Sequence, residues 1–376
     1  MRFADIPGNG DIKRALAGMA DSGRVPHAML FYENEGCGAL PLVLAFFQYL
    51  NCSDRHDGDS CGECPSCRKI SRLIHPDLHF VFPVTTGSRS GSSEKPTSEL
   101  YLEYWRELVL SDPYFLESEL YSALGIEGKS GNIAVAEAKS ILERLSLSPV
   151  GDGYRAVVVW LPEKMNAEAA NRLLKIVEEP PERTLFLFVT HSPEKVLQTI
   201  FSRCQAFRVL PLSKEEVAEA LVTGFSIPRE QAGRQAGISG GSIGVALNRL
   251  GDTEDYGEYM GIFGKLMTAV QSRDLLSALE AGEEMAALKS REKQKAFCVF
   301  AEDCIRKIYM ISHGMESISD VPDAAAPLLS SLAAGAQDLF CRKTAVYLDN
   351  ASAMIDRNVN AKIVFCDLVD RIYMTY

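Results

Sequence analysis

No apolar run in this chain is long enough to cross a bilayer. The best one, Ala39 to Leu50, has 12 residues, against about 18 or more for a spanning helix. The opening MRFADIPGNGDIKRAL has neither the basic region nor the apolar core of a secretory leader. Positive charge is not in excess: 39 Lys and Arg face 50 Asp and Glu, for a net charge of −11. That balance excludes a global pull toward nucleic acid or anionic lipid and leaves only a local basic patch open. The ten cysteines do not form a disulfide-like framework. Four fall within 16 residues and the others stand singly in apolar segments, which reads as a metal site plus buried thiols in a reducing compartment. The expectation is a cytoplasmic protein without a membrane role. What the chain does have is length and apolar content. Its 376 residues, 47% of them hydrophobic, are enough for two or three domains with real cores.

A second kind of absence sits in ENEGCGALPLVLA, Glu33 to Ala45. Gly36 and Gly38 followed by an apolar helical run give the outline of a phosphate-binding loop. A working loop, G-x-x-x-x-G-K-[ST], needs lysine for the β- and γ-phosphates and a hydroxyl for Mg²⁺. Here those positions are Ala39 and Leu40, and the first glycine position is Glu33, whose charge repels phosphate. Taken alone, the stretch is equally an ordinary strand–turn–helix. The strand Tyr154 to Leu161 settles the comparison. A phosphate-loop ATPase carries acids at its tip, whereas this one ends in Trp160 and Leu161, with Glu163 two positions beyond. Both halves of the metal-nucleotide site are missing together.

Around these stretches the pattern alternates. Apolar strands are expected at 27–33, 78–84, 154–161, 184–190 and 206–212, and helices at 12–20, 40–50, 134–146, 167–177 and 196–201. Strands alternating with helices imply a parallel, doubly wound sheet. A Gly/Ser-rich stretch at 85–98 reads as mobile. The aromatic-rich helical segment 99–125 reads as packing rather than a stacking platform. After Pro211 the strand pattern stops. About three short helices are expected over 215–250, and helices throughout 256–376.

The sequence NCSDRHDGDSCGECPSCRK supplies Cys52, Cys61, Cys64 and Cys67. Two C-x-x-C steps share Cys64, and the fourth thiol lies upstream at a helix end. Four soft ligands on tight turns suit tetrahedral Zn²⁺ with no open position, hence a structural site. His56 is an alternative to Cys52 as fourth ligand.

NRLLKIVEEPPERTLFLFVTHSPEKVLQTIFSRC, Asn171 to Cys204, resembles the bacterial clamp-loader AAA+ subunits, the delta-prime and gamma/tau group of DNA polymerase III. FADIPGNGDIKRAL, SGRVPHAMLF, the cysteines ahead of His75–Asp77, LSLSPVGDGYRAVVV and NVNAKIVFCDLVDRI extend the resemblance over nearly the whole chain. The exception is about 85–128, which looks like an insertion. The resemblance implies an AAA+ α/β module over 1–211 with a zinc-binding insertion (52–67), a helical lid over 212–252 and an all-α collar over 253–376. Within this family gamma/tau hydrolyses ATP and delta-prime does not. The departures at Ala39, Leu40, Trp160 and Leu161, with Gly244 at the lid's sensor-arginine position and Thr190 read as structural, point to the non-hydrolysing type. Arg203, in Ser202-Arg203-Cys204, is then the residue expected to reach a neighbouring subunit's ATP. Implied partners are gamma/tau and delta subunits and, indirectly, the sliding clamp and primer-template DNA. An active gamma/tau-type ATPase and a zinc-dependent nucleic-acid binding module are the alternative readings.

Overall fold

The computed structural model describes residues 1–85, 96–126, 129–251, 253–315, 321, 325–357 and 359–376. Part of the insertion expected at 85–128, and most of its Gly/Ser-rich start, lie outside these residues. The chain forms two compact units, Met1–Arg249 and Leu250–Tyr376.

The first unit is built on five parallel strands: β1 (Ala28–Tyr32), β2 (Leu78–Val81), β3 (Arg155–Trp160), β4 (Thr184–Thr190) and β5 (Gln205–Arg208). Their order is β2-β3-β4-β1-β5. β3 and β4 are buried along their whole length, as strands covered on both faces must be. The second strand is shorter than its apolar run. It ends at Val81, and Val84 instead bridges Asn132 in a separate antiparallel contact.

Helices pack on both faces: α1 (Gly10–Asp21), α2 (Ala39–Leu50), α3 (Pro65–Ser71), α4 (Leu102–Ser111), α5 (Glu117–Leu124), α6 (Val135–Leu145), α7 (Ala167–Glu178) and the single turn α8 (Gln198–Phe201). Every residue of α2 is buried. Pro41 falls in its first turn, where backbone N–H groups have no intrahelical acceptor to lose. α7 starts where the Asn166 side chain accepts the Ala169 N–H at 2.8 Å, an N-cap, and it stops ahead of Pro180–Pro181. Arg155, buried at the start of β3, donates to the carbonyls of Leu145 and Leu147 at 3.2 and 2.9 Å. A charge is thus placed on the last carbonyl of α6 and on the chain just beyond it, where a cation is favoured.

Three further helices complete this unit: α9 (Lys214–Phe225), α10 (Arg229–Ile238) and α11 (Ile243–Gly251). They share a small apolar core of Leu212, Val217, Leu221, Ala232, Ala236, Ile243 and Ala246. α9 begins with a capping box, in which Ser213 and Glu216 each accept the other's backbone N–H.

The second unit is helical: α12 (Thr253–Gln271), α13 (Leu275–Ala286), α14 (Arg291–Ser312), α15 (Ala326–Ala333), α16 (Asp338–Asp356) and α17 (Ala361–Thr375). Its core gathers Phe263, Met285, Phe297, Ile308, Phe340 and Phe365. No described helix is long and apolar enough to cross a membrane.

Candidate nucleotide cleft, arginine turn and metal centre

The Gly36/Gly38 turn leads from the end of β1 into α2, as its outline in the sequence implies. Gly38 is the N-cap of α2 at φ 108°, a conformation that glycine adopts without steric cost. In such loops the first amides of the helix face a phosphate. Here an internal carboxylate takes that place. Glu33 Oε2 accepts the Ala39 N–H at 2.7 Å, and the Glu33 side chain is 3% exposed. Its charge does more than repel phosphate, because it fills an anion position at the head of α2.

A buried carboxylate needs a counter-charge, and His191, just past β4, supplies it. His191 Nε2 lies 3.6 Å from Glu33 Oε1 and Nδ1 lies 3.9 Å from Glu35 Oε1. Its ring stands edge-on to Trp160, 5.5 Å between centroids. Burial pushes the His191 pKa down, but Glu33, Glu35 and Glu163 outweigh it, and the pKa is raised. Glu163 also accepts from the Thr190 hydroxyl at 2.7 Å and from the His191 backbone N–H at 3.2 Å. Thr190, itself buried, is thereby engaged in a hydrogen bond to a carboxylate of the same chain.

Where a hydrolysing module has acids at the tip of β3, this chain has an aromatic cluster. Trp160 meets Trp105 and Phe115 at 5.7 and 5.1 Å, and Trp105 stacks on Phe82 at 4.3 Å. Trp105 and Phe115 come from the expected insertion. Its described part packs on the sheet core, so the aromatic segment is indeed packing.

The pH dependence of this cluster has a definite sign. A histidine whose folded pKa is raised contributes stability that is complete below its unfolded value, about 6.5, and is lost as pH rises through the folded value. Glu33, Glu35 and Glu163 face the ring, and Cys37 and Ala39 belong to the same loop. Wild type is expected to melt above His191→Asn at pH 6, and the gap should close toward pH 9. Paired melting curves across that range check it, since the two chains share every other titrating group. A gap independent of pH would mean that His191 is neutral in the fold.

Arg203 occupies the turn between α8 and β5. Its Nε and one terminal nitrogen contact Glu178 Oε1 at the end of α7, and its other terminal nitrogen donates to the Thr199 carbonyl at 2.8 Å. The side chain is about one-third exposed, 34%. β5 pairs in parallel with β1, Met29 opposite Gln205 and Tyr32 opposite Arg208. The arginine turn therefore precedes the strands, while the loop at 33–40 follows them. The two lie at opposite ends of the sheet, so Arg203 does not serve its own chain's cleft.

The cysteines converge. The Sγ atoms of Cys52, Cys61, Cys64 and Cys67 all lie within 4.8 Å of one another, with 3.5 Å between Cys52 and Cys61 and 4.0 Å between Cys61 and Cys67. A tetrahedral site with Zn–S of about 2.3 Å has sulfur–sulfur edges of about 3.8 Å. Backbone N–H groups of Asp54 and Cys61 point at Cys52 Sγ, those of Glu63 and Cys64 at Cys61 Sγ, and that of Cys67 at Cys64 Sγ, all at 3.3–3.4 Å. Such donors favour thiolate, the ligand form. Burial raises the Cys64 pKa, yet donors from Cys67 and Ser53 bring it down to about 6, whereas burial leaves the Cys52 and Cys67 thiols raised. His56 stays outside this group. It is exposed, its Nδ1 is 3.2 Å from the Asp54 carbonyl oxygen, and its backbone pairs with Asp59.

Sequence reasoning missed His191, the hydrogen bonds of Glu163 to Thr190 and His191, and the occupancy of the loop by Glu33. An acid in the first glycine position of a phosphate loop was the signal for the last. His191 carried none, since only the fold brings it beside Glu33.

A parallel sheet in the order 5-1-4-3-2, with a glycine turn leading from its first strand into a buried helix, defines an AAA+-type α/β module. The chain matches the family described as DNA polymerase III, delta subunit, over residues 8–213, and it belongs to that family. It is 34% identical over 193 residues to the DNA polymerase III subunit delta' of Yersinia pestis, covering 51% of this chain and 44% of that protein. It is 29% identical over 211 residues to the gamma/tau subunit of Mycobacterium tuberculosis, 56% of this chain and 29% of that one. The chain thus spans less than half the length of each of these two relatives. Among solved structures, a gamma subunit-related protein of DNA polymerase III from Thermotoga maritima is similar, with TM-score 0.42, 16% identity and coverage of 96% and 99%.

Proposed function

We propose that this chain is the non-hydrolysing, delta-prime-type subunit of a DNA polymerase III clamp loader. It sits beside gamma/tau and delta subunits in a ring that loads a sliding clamp on primed DNA, and it supplies Arg203 in trans. In this reading 1–211 is the AAA+ module, 212–252 the lid and 253–376 the collar. A structural Zn²⁺ is held by Cys52, Cys61, Cys64 and Cys67. The observation that carries the reading is the Glu33 carboxylate on the Ala39 N–H. The amide that would receive a phosphate is already satisfied by an anion of the chain. Ala39 and Leu40 offer neither cation nor Mg²⁺ ligand, and Trp160 and Leu161 replace the acids that would polarise water.

The purified chain is expected to show no ATP turnover with Mg²⁺, with or without primed DNA. The tagged chain, recovered from the cell that makes it, should bring gamma/tau and delta subunits with it. Turnover that scales with the amount of this chain would assign it to the active gamma/tau type instead.

A further inference from the structure

The insertion contributes more than aromatic packing beside β3. Two adjacent residues of it enter different cores. Phe115 belongs to the main core of the α/β sheet, whereas Tyr114 belongs to the small core of α9–α11. Tyr114 stands edge-on to Phe225, 6.3 Å between centroids. Its ring carbon Cε1 would lie 3.0 Å from a Cβ placed on Gly38. Three residues further on, the backbone N–H of Glu117 donates to Glu35 Oε1, and the Glu117 carboxylate pairs with Lys164 at 2.7 Å. Residues 112–119 thus lie against the phosphate-type loop on one side and the three-helix lid on the other.

The lid also closes directly on the loop. The Gly244 N–H donates to the Gly36 carbonyl at 3.1 Å, and the Ser242 hydroxyl donates to the Glu35 carbonyl at 2.7 Å. A Cβ at Gly36 would fall 3.0 Å from Gly244 Cα, and one at Gly244 would fall 2.0 Å from the Tyr114 carbonyl oxygen. Both neighbours are backbone atoms and cannot swing away. Loop, lid and insertion therefore meet with no room for one added methyl group, in the cleft that a nucleotide would occupy.

We propose that residues 112–119 are a built-in occupant of the degenerate nucleotide cleft, a peptide that takes the place of the missing nucleotide and holds the lid shut on the loop. This rests on the reading of 33–40 as a degenerate site. In an AAA+ module that binds nucleotide, the ligand joins loop to lid. Here a covalently attached segment does so through one side chain in each core, the Glu117 N–H on the Glu35 carboxylate and the Tyr114 backbone against Gly244, beside the direct Gly36–Gly244 contact. The closed lid is then a property of the sequence and does not vary with nucleotide concentration.

Hydrogen exchange on the full chain tests this. In wild type, peptides covering 239–247 and 33–40 should exchange slowly, and Mg²⁺–ADP should leave them unchanged. Gly244→Ala should speed exchange in both peptides at least about tenfold while 155–160 and 184–190 stay protected. A free-standing helix behaves in the opposite way, because alanine is the better helix former. Tyr114→Ala, which adds no clash, should loosen the same two peptides and covers the case in which Gly244→Ala disturbs the sheet. Fast wild-type exchange over 239–247, or wild-type rates in both variants, would overturn the proposal while leaving the degenerate site intact. Protection of 33–40 by Mg²⁺–ADP would instead overturn the degenerate-site reading itself, and the built-in occupant with it.

Discussion

Arg203→Ala is expected to slow ATP hydrolysis at the one neighbouring site that Arg203 is proposed to serve by roughly 10³-fold or more. The guanidinium sits on a short turn, tethered by Glu178 and the Thr199 carbonyl, so its direction is set before any partner arrives. Preorganised charge of this kind acts on the phosphoryl group as negative charge shifts in the transition state. The variant should fold normally, because an exposed ion pair contributes at most about 1 kcal/mol. Arg203→Lys should restore little, since a point charge cannot reproduce the planar fork. Single-turnover hydrolysis by reconstituted complexes, compared at equal assembly, isolates the affected site from the others. An unchanged rate would reduce Arg203 to a turn residue paired with Glu178.

The second large effect concerns the metal. Elemental analysis is expected to find one zinc per chain, and its removal should unravel 52–67 before the sheet. Structural zinc is worth about 10–16 kcal/mol in small zinc-folded peptides. Even a loss of about 3 kcal/mol would lower the melting temperature of a domain this size by about 6–12 °C. The damage should also reach the N-terminus. The Asp59 carboxylate, within the cysteine loop, accepts the N–H groups of Phe3 and Ala4 at 3.0 and 2.8 Å. Ser60 receives the side-chain N–H of the buried Gln48 at 2.9 Å. Chelation should therefore expose both 1–6 and 53–63 to protease while β4 remains protected. A chain that carries no zinc, or that keeps it unchanged in Cys52→Ala, would rule out four-cysteine ligation.

How much of this could be read beforehand differs by element. β4 is an uninterrupted apolar run, and its observed limits, Thr184–Thr190, coincide with that run. The four thiols were legible because ligand spacing is local. The last strand was expected over seven residues but pairs over only four, because its one neighbour, β1, ends at Tyr32 opposite Arg208. The missing lysine and acids were plain in the sequence. Their surroundings were not: Glu33, Trp160 and Gly244 stood out singly, but the contacts of Glu33 with His191 and of Gly244 with Tyr114 are made only by the fold. Periodicity reports which face of an element is buried, not which distant carboxylate will cap which amide.

The parallel pairing of β1 with β5 has a geometric consequence for assembly. It sets the loop at 33–40 at one end of the sheet and the arginine at the other, so in the proposed ring Arg203 would reach a neighbour's cleft only head to tail. Head-to-tail contacts give a ring a sense of rotation. On the proposed reading, a member whose cleft is filled by its own chain would give a residue to the next junction and need none from the one before. Such a chain would interrupt the cycle at a fixed place. Every other subunit would then have a defined distance from that interruption, and otherwise similar ATPase subunits would be distinguishable by position alone.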